Sequence, residues 1–144
     1  MRNIGYSMND IIRLTTIFPQ LISLSSYNIL DTIQIIESFG YSRSDSIKMT
    51  LGLPSIFGFK KETLIEKLEF YISINLKQVI KDESKNLIQG LELSYDRYNF
   101  LKGLSCFNYK DMFMSQDKFI RKYGYSNEDI INKFLGNKVV KKKK

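Results

Sequence analysis

The sequence predicts an all-α solenoid of about three helical repeats closed by a C-terminal cap, and three observations predict it. A short motif, Gly-Tyr-Ser-x-x-Asp, occurs as Gly5 to Asp10, Gly40 to Asp45 and Gly124 to Asp129. The first two copies lie 35 residues apart, and in both a proline (Pro19, Pro54) follows the Asp by nine positions. Apolar residues then recur at the same offset of 35, with Ile29, Ile33, Ile35 and Ile36 matched by Leu64, Leu68, Phe70 and Tyr71. Self-similarity at a fixed period marks arrays in which no unit can bury its apolar face alone. An irregular helical bundle is the other reading, and it makes the period a coincidence.

Each element follows from local chemistry. Ser7 and Ser42 are N-cap candidates, because a hydroxyl can accept from the free N–H groups of a first helical turn. Asp10 and Asp45, three residues on, complete a capping box and meet the positive end of the helix dipole. Ile11, Ile12, Leu14 and Ile17 have helical spacing. Pro19 and Pro54 cannot continue a helix interior and suit the first position of a new short helix. Gly40 ends the longer closing helix in the left-handed conformation that glycine tolerates. A third unit is weaker. Val79, Ile80 and Lys81 stand where Ile11, Ile12 and Arg13 stood, Ser84 to Ile88 replace the proline segment, and Arg97 to Leu101 match Lys67 to Tyr71. A less regular end follows, with Phe107, Tyr109, Met112, Phe113 and Met114, a helix around Gln116 to Tyr123, and a last helix from Ser126. Residues 1–136 are expected to form one domain and 137–144 a flexible basic tail.

Composition narrows the chemistry. The chain has 144 residues, 43% of them apolar, with no histidine, no tryptophan and one cysteine, Cys106. An internal disulfide and His-based acid, base or nucleophile systems are excluded. Zinc, haem and iron–sulfur sites lack their ligands, so no cofactor and no metal is expected. Adjacent carboxylates such as Asp82 and Glu83 point apart on a helix and make no acid/base pair. No glycine-rich phosphate loop is present, and the expected protein is not an enzyme. No secretory signal, presequence or apolar span is read, so a cytoplasmic location is expected, with no membrane span.

The pattern Gly-Tyr-Ser-x-x-Asp, apolar helix, Phe/Leu-Pro-x-Leu/Ile, then a helix ending in aromatic-Leu and Gly resembles the mitochondrial transcription termination factor (mTERF) repeat. The residues that carry it are Gly5 to Ile22, Gly40 to Phe57, Val79 to Ile88 and Arg97 to Leu101, and Met114 to Tyr123 is similar to a short helix that closes many members. The resemblance implies a curved right-handed superhelix of three-helix repeats that binds nucleic acid without catalysis. Set against typical members the chain is short and no presequence is read in it, so a bacterial, phage or otherwise stand-alone version is expected.

Binding of that kind needs basic groups on one face. Arg13, Lys48 and Lys81 hold equivalent places in three units and form the expected stripe. Lys60, Lys61, Lys67, Arg97, Lys102, Arg121 and Lys122 are candidates to extend it. Lys141, Lys142, Lys143 and Lys144 would add sequence-independent phosphate attraction from the tail. The net charge is +7, but residues 1–59 balance four basic against four acidic groups and residues 60–137 carry 13 against 11. Five lysines, Lys138 and Lys141 to Lys144, supply the remainder. A body this close to neutral suits a protein interface as well, so an adaptor, effector or inhibitor is the alternative function. Acids interleaved with the stripe would favour it. Tyr6, Tyr41 and Tyr125 are expected to pack between repeats rather than stack on bases, Phe18, Phe57, Phe70 and Phe100 to be core, and Cys106 to be a small apolar group. The expected state is a monomer whose partner is DNA or RNA.

Overall fold

The computed structural model describes residues 2–24, 26–104 and 108–130. All secondary structure among them is helical. Cys106, Phe107 and the basic tail lie outside the described residues. The chain divides into two compact units, Met1–Ile88 and Gln89–Lys144.

The first unit contains two full repeats and the opening of a third. Helix α1 (Met8–Ile17) is followed by a 3₁₀ turn, Pro19–Ser23, and by α2 (Ser26–Ser38). Helix α3 (Arg43–Gly52), the turn Pro54–Gly58 and α4 (Lys61–Ser73) repeat that order. Then come α5 (Lys77–Asp82) and the turn Ser84–Ile88. Both capping boxes form. Ser7 Oγ accepts from the Asp10 N–H at 3.0 Å while Asp10 Oδ2 accepts from the Ser7 N–H at 3.1 Å, and Ser42 and Asp45 do the same at 3.0 and 3.2 Å. Both prolines begin a 3₁₀ turn, where a missing N–H costs nothing.

The third repeat keeps the backbone and changes the residues. The residue that breaks the first helix of each repeat is extended in φ with intermediate ψ: Phe18 (−129°, 77°), Leu53 (−144°, 79°) and Glu83 (−130°, 58°). Gly5 and Gly40 open their repeats at φ 131° and 96°, and Asn75, 35 residues after Gly40, takes the same left-handed role at φ 65°. Asparagine is the residue besides glycine that bears this conformation most readily. Ser84 stands in the proline position, and its Oγ donates to the Met49 carbonyl of α3 at 2.7 Å. That approach uses Gly52, where a Cβ would come within 2.5 Å of Ser84 Oγ.

Packing carries the period into the core. Helix α3 lies against α2 and α5, and α4 also lies against α2 and α5. Ile29, Ile33 and Ile36 are buried, as are Leu64, Leu68 and Tyr71 at the offset of 35, while Ile35 and Phe70 are half-buried in both copies. Removing each such side chain from water contributes about 1.5–3 kcal/mol. Tyr6 and Tyr41 pack between repeats. The Tyr6 hydroxyl pairs with Thr50 of α3, and the Tyr41 hydroxyl donates to the Lys77 carbonyl of α5 at 2.8 Å. Phe57 is buried and Phe18 half-buried.

The second unit holds α6 (Leu91–Gly103), α7 (Tyr109–Met112), α8 (Gln116–Tyr123) and α9 (Asn127–Ile130). Helix α6 packs on α7 and α9. Its Phe100 meets the rings of Phe119, Tyr123 and Tyr125 at 5.8–5.9 Å. Gly124 terminates α8 at φ 80°, and Ser126 with Asp129 makes a third capping box at 3.0 and 3.1 Å.

Candidate functional site

Arg13, Lys48 and Lys81 come together. Arg13 and Lys48 are each the sixth residue of a ten-residue helix, α1 and α3, and Lys81 lies in the last turn of the six-residue α5. All three line one open groove of about 630 Å³ in the first unit. Ile47 and Leu51 of α3 give the same groove apolar walls. Lys85, in the turn after α5, lines it too and is exposed. Repeat spacing does not point to Lys85, which replaces a residue of the proline segment and has no basic counterpart in the first two repeats. Its nearness in sequence to Lys81 was the available signal.

Acids are interleaved with these cations. Lys48 Nζ donates to Asp82 Oδ1 at 2.9 Å, and Lys81 Nζ stands 3.7 Å from Asp45 Oδ1. Asp82 and Glu83 line the groove as well. The Lys48 hydrogen bond, with a second from Gln78, holds the Asp82 carboxyl below the usual carboxylate range. The Asp45 carboxyl is lowered first by the Ser42 N–H of its capping box and further by Lys81. Arg13 is exposed and engages no hydrogen bond or ion pair among the described residues. Ion pairs this open to water are screened and weakly held, so an incoming anion can displace either carboxylate at small cost.

The remaining candidates divide. Lys60, Lys102 and Arg121 are exposed. Lys61 is 3.9 Å from Asp31 beside a smaller groove of the first unit. Lys122 pairs with the buried Asp111 at 2.8 Å. Lys67 and Arg97 do not belong to an exposed basic face, because both are buried. Lys67 is 6% exposed, sits over the Phe59 ring, and donates to the Leu87 carbonyl at 2.5 Å. Arg97 is 1% exposed, sits over the Phe119 ring, and donates to the carbonyls of Met112 and Met114 at 3.1 and 2.6 Å. Burial lowers the affinity of both groups for their protons. Lys67 Nζ and Arg97 Nη1 hold backbone instead of facing a ligand. Among the described residues no helix is long and apolar enough to cross a membrane.

The family model described as mTERF matches residues 1–82, from the N-terminus to the last residue of α5. No curated protein matches the chain, and no solved structure does.

Proposed function

The chain belongs to the mTERF family, and we propose that it binds nucleic acid without catalysis, acting in transcription or gene expression through contacts to the phosphate backbone. One observation carries this reading: cations from three successive repeats, Arg13, Lys48 and Lys81, share a single groove, with Lys85 beside them. Cations that recur from repeat to repeat suit a ligand that itself repeats, and a phosphate backbone does so. The apolar Ile47 and Leu51 offer contact to sugar or base faces next to those charges.

A second reading rests on the pairing of Lys48 with Asp82 and of Lys81 with Asp45. A groove with both signs of charge suits a polar protein surface, and an adaptor, effector or inhibitor would use it so.

Fluorescence anisotropy with duplex DNA and with single-stranded RNA, each at two salt concentrations, separates the readings. Binding should weaken with salt, the logarithm of affinity falling with a slope of about 0.9 per phosphate on a duplex and about 0.7 on a single strand. A Lys48→Glu, Lys81→Glu double variant should weaken binding for every sequence tested and flatten that slope by about two. Affinity unchanged in the double variant removes the groove from the reading, and no binding to either nucleic acid at low salt leaves the protein partner.

A further inference from the structure

Two cations of the groove are answered by carboxylates in a crossed arrangement. Helix α3 supplies Lys48 and Asp45, and α5 supplies Lys81 and Asp82. Each lysine reaches the acid of the other helix, Lys48 Nζ to Asp82 Oδ1 at 2.9 Å and Lys81 Nζ to Asp45 Oδ1 at 3.7 Å. The two acids differ in what else they do. Asp45 closes the capping box of α3, so its place follows from the helix it begins. Asp82 is the last residue of α5, where the negative end of the helix dipole disfavours a carboxylate. Its pair with Lys48 is open to water, the two side chains being 46% and 56% exposed, and pairs so exposed add little to stability. Neither the helix nor the ion pair accounts for an acid at this position.

The groove does. Gln78, one turn back on α5, donates its Nε2 to Asp82 Oδ2 at 3.1 Å. That bond leaves the other oxygen, Oδ1, aimed at Lys48. Asp82 lines the groove together with Arg13, Lys81 and Lys85. A carboxylate oxygen on an ammonium makes the same charge-assisted contact that a phosphate oxygen makes. Arg13 and Lys85, by contrast, are exposed and engage no hydrogen bond or ion pair among the described residues.

We propose that Asp82 is an internal competitor for the groove: it stands on Lys48 where a backbone phosphate would stand, and nucleic acid binds by exchanging with it. The proposal rests on the nucleic-acid reading and adds the regulation of that site. Arg13 and Lys85 are open to a first phosphate, whereas Lys48 is released to a ligand already held beside it. A lone anion at Lys48 gains one contact and breaks one, so the exchange favours a chain of phosphates over single ones.

Fluorescence anisotropy at low salt, with the duplex DNA and single-stranded RNA probes, tests it on the full chain, on Asp82→Asn, on Lys48→Gln and on the two changes combined. Asp82→Asn keeps the shape of the side chain and should tighten binding about two- to fivefold, the scale of one exposed charge pair. Lys48→Gln should weaken binding by a similar factor more in the Asp82→Asn chain than in the unaltered one, because only there is the lysine free beforehand. Glu66→Gln removes the same charge from an exposed place on α4 outside the groove and should change affinity less. Melting should scarcely move in Asp82→Asn. Affinity that Asp82→Asn leaves unchanged or weakens overturns the proposal and spares the nucleic-acid reading. So does a gain that Glu66→Gln reproduces in full, the mark of net charge alone, or an equal effect of Lys48→Gln in both chains. No binding by any of these proteins overturns that reading and the proposal together.

Discussion

At the turn that opens the first repeat, Gly5 combines a φ of 131° with the close approach of Ile47. Either feature alone disfavours a side chain. Gly5→Ala should destabilise the first unit by about 1–3 kcal/mol in urea unfolding, the usual cost of a residue held in a sparsely populated backbone region. Tyr6 and Tyr41 supply a second prediction at this scale. Burial pushes both phenols up to about 12. A group whose proton is held more tightly in the folded state stabilises the fold fully below its unfolded pKa and loses that contribution as pH rises through the folded one. Stability should therefore decline between about pH 10 and 12, and an ultraviolet titration should find Tyr6 and Tyr41 ionising late. Replacing Tyr41 by Phe should remove one late phenol and soften the alkaline loss.

The helices and their ends were legible in the sequence because their causes are local. Ser7 and Ser42 cap within three residues, and Pro19 and Pro54 start their turns by covalent geometry. What lay beyond reading was Asn75 taking the left-handed place of the opening glycine, and the tie by which Ser84, legible in the proline's place, holds the Met49 carbonyl. The buried cations were also hidden. Lys67 and Arg97 occupy matching places in α4 and α6, and nothing in their sequence neighbourhoods separates them from surface charge. Only the three-dimensional neighbours reveal that each holds the backbone of a later element, Leu87 in one case and Met112 with Met114 in the other. Arg97→Met should leave the Met114 carbonyl without its donor and the Met112 carbonyl with Gln89 Nε2 but without the guanidinium. A loss of about 3 kcal/mol is expected in equilibrium unfolding, and Arg97→Lys should recover only part of it, since one ammonium cannot reproduce the planar fork. Likewise the groove could be inferred from spacing, but the partners of Lys48 and Lys81 could not, because Asp82 lies 34 residues from Lys48 and Asp45 lies 36 from Lys81.

For the whole chain, charge is distributed so that two kinds of electrostatics separate. Ending the chain at Asn137 removes five lysines and lowers the net charge from +7 to +2. Such a variant should lose affinity for any polyanion at low salt and show a shallower salt dependence. The further effect of Lys48→Glu, Lys81→Glu should persist in it, if the groove and not the tail positions the ligand. Acid acts on a different set of groups. At Asp111 burial favours the neutral acid, but hydrogen bonds from Lys122 and Tyr123 outweigh it, and the carboxyl ends below its usual range. A lowered carboxyl stabilises the fold above its ordinary pKa and stops doing so as pH falls through the depressed value. Melting temperature should thus hold down to about pH 4 and drop below it, and Asp111→Asn should flatten that drop.

Engineers often raise stability by restoring the commonest residue at each place in an internal array. Applied here, that rule would write proline at Ser84. Proline brings a rigid ring but no hydroxyl, so the tie to the Met49 carbonyl would vanish and the ring would press toward Gly52, which is kept bare to admit a smaller side chain. The degenerate repeat has thus become dependent on its own divergence: Gly52 and Ser84 form a matched pair, and correcting one member toward the consensus would undo the fit that the other was shaped to meet.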